Sequence, residues 1–134
     1  MARSPKRRRR RATGARDPAE GPLAVEWYVA RNEDGAVVGR AYIDTHTPKT
    51  ERQSLLISLD TVGRIKGVDV TVFFEPAQYM APQDWLRQFD GEVLHDELAI
   101  RRIAGSSFTG RAISNAVRRV LALDQVLQAG AAQP

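Results

Sequence analysis

Gly105-Ser106-Ser107-Phe108-Thr109-Gly110 is a short polar turn that feeds the most strongly periodic segment of the chain. Beyond it Ile113, Ala116, Val117, Val120, Leu121 and Leu127 recur at helical spacing, while Arg111, Ser114, Asn115, Arg118 and Arg119 fall on the other face. This pattern predicts an amphipathic C-terminal helix with its apolar stripe on a core and its first turn at the surface. Ser107 or Thr109 is the expected N-cap. The first backbone N–H groups of a helix lack intrahelical partners, and its peptide dipoles sum to a partial positive charge, so such an end favours a phosphate or carboxylate. Gly105 and Gly110 let the backbone approach an anion closely. Hydroxyl residues in front of a helix also form ordinary caps, so local pattern alone leaves the plain capping role open.

Upstream of the turn the periodicity changes from helical to alternating. Leu23 to Ala30 is rich in β-forming residues, Asn32-Glu33-Asp34-Gly35 is a turn signal, and Ala36 to Thr45 returns as a second strand. Residues 46–52 are polar and contain Pro48, which predicts a loop. Ser54 to Leu59 and Ile65 to Phe74 form a second hairpin around Thr61-Val62-Gly63-Arg64, with Val68, Val70 and Val72 expected on one face. Pro82 can start a short helix through Phe89, whose Trp85 and Phe89, one turn apart, are expected as core anchors. Leu98 to Ile103 is expected to be a strand or extended run leading into the Gly105 turn, and the chain is expected to fray after Leu127. The expected class is α+β: antiparallel hairpins forming a small sheet packed against a C-terminal amphipathic helix.

Composition divides the chain unevenly. Eight of its twenty basic residues, Arg3, Lys6, Arg7 to Arg11 and Arg16, lie in the first sixteen positions with no acid among them. The remainder holds twelve basic against sixteen acidic residues, a net charge of −4. A basic arm over 1–21 is therefore joined to a mildly acidic domain over 22–129, followed by a tail over 130–134. The arm has almost nothing apolar to bury and is expected to be disordered, a plain solvated tail or the product of an upstream start-codon choice, with nucleic acid or anionic lipid as partners only in the alternative reading. No apolar run of about seven residues follows its arginines before Asp17, so a complete export signal is not expected, and no window approaches the ~18 apolar residues of a membrane span.

The stretch Ile103-Ala104-Gly105-Ser106-Ser107-Phe108-Thr109-Gly110-Arg111-Ala112-Ile113, running into Asn115-Ala116-Val117-Arg118, resembles the end of the FMN-binding domain family. That family includes the C subunit of the sodium-pumping NADH:quinone reductase and the G subunit of the Rnf complex. Its motif reads approximately Asp-x-x-Ser-Gly-Ala-Thr-x-Thr or Ser before a helix, and in many members the Thr after Gly-Ala carries FMN as a phosphoester made by a flavin transferase. The likeness extends upstream through Gly35 to Ala41, Leu55 to Val68, Glu75 to Tyr79, Trp85-Leu86 and Gln88 to Gly91, in family order over about residues 23–128. Carried over, the acceptor falls on Ser107, the preceding Ala on Ser106 and the Gly on Gly105. Arg101 stands where the motif has Asp, and Ala104 where it has Ser. Ser107 offers a primary hydroxyl, so a phosphoester is chemically feasible there; the inverted charge at Arg101, beside Arg102, bears on recognition by the transferase and favours a free FMN phosphate.

The resemblance implies an FMN-binding electron carrier, not an enzyme with its own substrate. Its FMN phosphate would be held by Gly105, Ser106, Ser107, Phe108, Thr109, Gly110 and Arg111, with Arg101 a further candidate contact. Phe108, Tyr79 and Trp85 are candidates for an apolar ledge under the ring. It also implies redox partner proteins, some membrane-bound, and a periplasmic or membrane-associated location. Independently of it, the absence of cysteine excludes disulfide, thiol and cysteine-ligated iron–sulfur chemistry, and two histidines, His46 and His95, argue against a His-rich metal site. Neither Gly-x-Gly-x-x-Gly nor Gly-x-x-x-x-Gly-Lys occurs. Asp60, Asp69 and Glu75 are expected as solvated turn and surface acids. Two other function classes stay open: a flavin-free binding or scaffold domain, for which Arg101 and Ala104 speak, and a nucleic-acid-binding protein acting through its arm.

Overall fold

A computed structural model describes residues 24–48, 50–94 and 108–132. Alternating β-forming residues build four antiparallel strands, β1 (Ala24–Arg31), β2 (Val37–His46), β3 (Gln53–Leu59) and β4 (Ile65–Phe73), in the order β1-β2-β3-β4. A short helix α1 (Gln83–Leu86) continues as a 3-10 turn over Arg87–Phe89, and a 25-residue helix α2 (Phe108–Ala132) closes the described chain. This is the α+β arrangement expected, an open antiparallel sheet with a C-terminal helix.

The two hairpins are one continuous sheet, because β2 and β3 also pair, from Arg40 opposite Leu59 to His46 opposite Gln53. Register sets the inner face. Trp27, Tyr42, Ile57 and Val68 form one row across it, and Val25, Asp44, Leu55 and Val70 the next. The helix meets these rows with Ile113, Ala116, Val117, Val120 and Leu121, all buried together with Leu59 and Ile65 in a single core. Each large apolar side chain so covered contributes about 1.5–3 kcal/mol relative to exposure.

Val72 departs from the face expected for it. The β3–β4 register slips between Ser54 and Leu55, so Val70 opposes Leu55 while Val72 opposes Ser54. The extra residue, Thr71, donates its hydroxyl to the Ser54 carbonyl, and Val72 turns outward and is exposed. A bulge of this kind reverses the side-chain alternation beyond it.

Leu86 and Phe89 close the open side of the core beside β4. Trp85 packs edge-on against Phe89 at 5.5 Å between ring centres, so the aromatic pair acts as the expected anchor. The chain then clasps the start of β4: Gly91 N–H donates to the Ile65 carbonyl, and Ile65 N–H to that of Glu92. Past Leu127, where the apolar pattern stops, α2 continues to Ala132. Ala129, Ala131 and Ala132 are strong helix formers and outweigh the single Gly130.

Candidate functional site

Alternation in β2 puts Arg40, Tyr42, Asp44 and His46 on the same face as the core, and the helical period puts Asp124 in line with Val120 and Leu121. Two buried polar clusters result. In the first, Arg40 grips Asp124 with two hydrogen bonds, Nε to Oδ1 at 2.6 Å and Nη2 to Oδ2 at 2.8 Å, and Tyr42 donates its hydroxyl to Oδ1 at 2.6 Å. Arg40 Nη1 also donates to the Thr61 carbonyl, tying the β3–β4 turn to the same point. The hydrogen bond to Asp124 raises the Arg40 pKa against the opposing effect of burial. Burial, with the same carboxylate beside it, pushes the Tyr42 phenol far above its ordinary value. The turn is held from its other side by Asp60, whose Oδ1 accepts from the N–H groups of Val62 and Arg64 and whose pKa those bonds lower. Asp60, expected as a solvated turn residue, sits in the turn and also clamps it.

The second cluster surrounds Asp44. Its carboxylate accepts from Arg119 Nε at 3.1 Å and Nη2 at 2.9 Å, and from His46 Nδ1 at 2.9 Å. Burial alone would raise its pKa, but the bonds from His46 and Arg119 prevail and hold it below the ordinary carboxylate value. His46 Nε2 lies 2.8 Å from Gln53 Nε2, so both ring nitrogens have polar partners. With both ring nitrogens engaged and the residue 5% exposed, His46 is a buried tie and not a base presented to a substrate. Among the described residues Gln53 Oε1, also buried, has no hydrogen-bond partner. Arg119, assigned by the helical pattern to the solvent face, instead spans from the helix to Asp44.

These clusters orient α2. Asp124 meets Arg40 and Tyr42, and Arg119 meets Asp44, so α2 runs antiparallel to β2 and its start is directed to the end of the sheet where β2 passes into β3. Glu75 joins the loops at that end, accepting on Oε1 from the Thr50 hydroxyl at 2.8 Å and the Glu51 N–H at 3.2 Å. Glu75, expected as a surface acid, thus also ties the two loops together.

Of the residues singled out for an FMN phosphate, Gly105, Ser106 and Ser107 lie outside the described residues, as do Arg101, Arg102, Ala104, His95, the expected extended run over 98–103 and the arm over 1–21. Phe108 opens α2. Thr109, one of the two expected caps, is already helical and buried, so its position is inside the helix, not at its cap. Gly110 is buried and Arg111 exposed, and the first turn contains no acidic residue. Of the ring-ledge candidates, Trp85 is committed to Phe89 and the core, while Tyr79 is 56% exposed. A shallow groove of about 360 Å³ lies on the outer sheet face, lined by Gly39, Ala41, Ser58, Lys66 and Asp69, towards the opposite end from the start of α2. Among the described residues no group of His, Cys, Asp and Glu is arranged to hold a metal ion, and no helix is long and apolar enough to cross a membrane.

The buried clusters escaped sequence reading, although two signals pointed to them. Polar residues alternate along β2 from Arg40 to His46, and an acid, Asp124, interrupts the apolar stripe of the helix. Comparison of the chain with family models, curated proteins and solved structures finds no match.

Proposed function

We propose that this chain is an FMN-binding electron-transfer domain, with the FMN phosphate held by Gly105, Ser106 and Ser107 together with the start of α2. The observation that carries the reading is the first turn of that helix. It begins at Phe108, directly after the motif-like Gly105-Ser106-Ser107 in sequence, has no acidic side chain, contains Gly110 and presents Arg111 outward. Helix N–H groups, a residue without a side chain and a nearby guanidinium suit a phosphate dianion, whereas an acid in that turn would repel it.

When bound, FMN supplies the electron-transfer chemistry; the chain's part is to hold and orient it. Gly105, Ser106, Ser107, Phe108, Thr109 and Gly110 form the phosphate end, and Arg111 adds charge. Tyr79 provides an exposed aromatic surface. The rigid union of α2 with β2 through Asp124 and Asp44 fixes the direction in which that helix end faces. Attachment through the Ser107 hydroxyl by a flavin transferase is the covalent form of the same reading. Electrons would pass to and from redox partner proteins, including membrane-bound ones.

Titration of the protein with FMN and with riboflavin, followed by flavin fluorescence, tests phosphate-led binding. FMN is expected to bind at least about tenfold more tightly than riboflavin, and Arg111→Glu to remove most of that difference. Equal affinities, or no binding of either, would overturn a phosphate site at this turn and favour a flavin-free scaffold.

A further inference from the structure

Of the eight large apolar side chains exposed among the described residues, four fall between Val72 and Met80, and the other four are all valines. Val72 (39%), Phe74 (66%), Tyr79 (56%) and Met80 (43%) stand where the chain leaves β4. The segment is held in this position. The β3–β4 slip turns Val72 outward, and Glu75 is tied to Thr50 and Glu51. The 3-10 turn over Ala77–Tyr79, with no buried residue in it, is closed by Tyr79 N–H on the Pro76 carbonyl and Met80 N–H on that of Ala77. Apolar side chains gathered on an ordered surface segment, instead of folded onto the core, mark an interaction site.

Charge identifies what fits there. From Gly67 to Leu86 the chain has no Lys or Arg but three acids, Asp69, Glu75 and Asp84. They bracket the apolar segment. Glu75 lies at its base beside Glu51, and on the other side Gln83 Nε2 donates to Asp69 Oδ1 at 3.4 Å, which brings Asp84 close to Asp69. The Asp84 side chain is 95% exposed. Arg52, next to Glu51, and Arg87, 3.9 Å from Asp84, offset two of these carboxylates, and Lys66 lies on the far side of Asp69 from the segment. The rim of the apolar patch is therefore acidic.

The geometry points to residues 72–80 as a docking surface for a partner protein whose contact face has an apolar centre ringed by lysine and arginine. An apolar core inside a charged rim is the anatomy of a protein–protein interface, and opposite charge on the partner sets its orientation and speeds its arrival. The same rim disfavours the other occupants. Lipid headgroups of an anionic membrane and the phosphates of a nucleic acid would both meet carboxylates. A second copy of this chain, paired patch to patch about a two-fold axis, would set the two acidic rims against each other. The inference rests neither on FMN binding nor on the basic arm.

Calorimetric titration of the full chain with three synthetic peptides tests it: a helical peptide of leucine and lysine, its leucine–glutamine counterpart, and oligolysine. The leucine–lysine peptide is expected to bind at least about tenfold more tightly than either of the others. Phe74→Ser combined with Met80→Ser alters only exposed positions and leaves Tyr79 for any flavin contact; an unchanged circular dichroism spectrum and melting curve establish that the variant is folded. It should bind the leucine–lysine peptide at least about tenfold more weakly. Asp69→Asn combined with Asp84→Asn should remove most of that peptide's advantage over the leucine–glutamine one, together with most of the salt dependence. Four results would each overturn the proposal. These are no binding of the leucine–lysine peptide, undiminished binding by the folded Phe74 and Met80 variant, equal affinity for the leucine–glutamine peptide, or sedimentation with phosphatidylserine-containing vesicles that the same variant abolishes.

Discussion

Asp44 is a carboxylate with no exposure to water and three donated hydrogen bonds, two from Arg119 and one from His46. It joins the middle of α2 to the inner strand β2, and its charge is retained because those donors outweigh the cost of burial. Its folded pKa lies below the ordinary 3.8, so the stability it contributes is fully present above that value and is lost as pH falls through the lower folded value. Asp44→Asn should cost about 3–5 kcal/mol near neutrality, because Arg119 and His46 lose a charged acceptor. Denaturant unfolding measured down through pH 3 should then show the wild-type and variant stabilities converging in acid. Curves that stay parallel would mean that Asp44 is not held ionised by these partners.

At the scale of elements, the β3–β4 turn is where sheet and helix lock. Gly63 has φ +90°, and a Cβ there would lie 3.2 Å from Asp124 Oδ2, the carboxylate that Arg40 grips. Gly35, in the β1–β2 turn, has a similar φ of +81° with open space around it. Ala at either position should cost about 1–2 kcal/mol in backbone strain, and Gly63→Ala should cost more than Gly35→Ala because it also crowds the ion pair. Equal losses in thermal or denaturant unfolding would show that the pair does not constrain the turn. The elements themselves were legible in sequence because each carries its own period: alternation around Ile57 and Val68, and the three-to-four spacing from Ile113 to Leu121. The joining of the hairpins through β2 and β3 was not, since alternation assigns faces but not neighbours. The exposure of Val72 depends on a one-residue slip against Ser54, which no local pattern records. The Asp44 and Asp124 clusters were hidden for a related reason, because the charges that pair are about 75 and 84 residues apart and meet only when α2 lies antiparallel to β2. The candidate phosphate site was legible only as a motif, and the structure adds the direction and composition of the helix turn that follows it.

For the molecule as a whole, one end of the sheet gathers the start of β1, the exposed Phe74 to Met80 segment and the direction in which the start of α2 faces. The other parts of the fold serve that end by stiffness: the Phe89 and Trp85 anchor closes the core, and the two buried carboxylates fix the helix on the sheet. An electron carrier gains from such a layout, since a cofactor held at a rigid end can be presented to a partner protein without rearrangement of the domain. The measurement that tests this account most directly is the visible absorption spectrum of the protein produced with a flavin transferase, with FMN supplied, before and after acid precipitation. The account predicts flavin absorbance before precipitation. Absorbance kept in the pellet and lost in Ser107→Ala identifies a phosphoester at Ser107, and absorbance released to the supernatant identifies noncovalent FMN. A colourless protein that also takes up no added FMN would contradict the account.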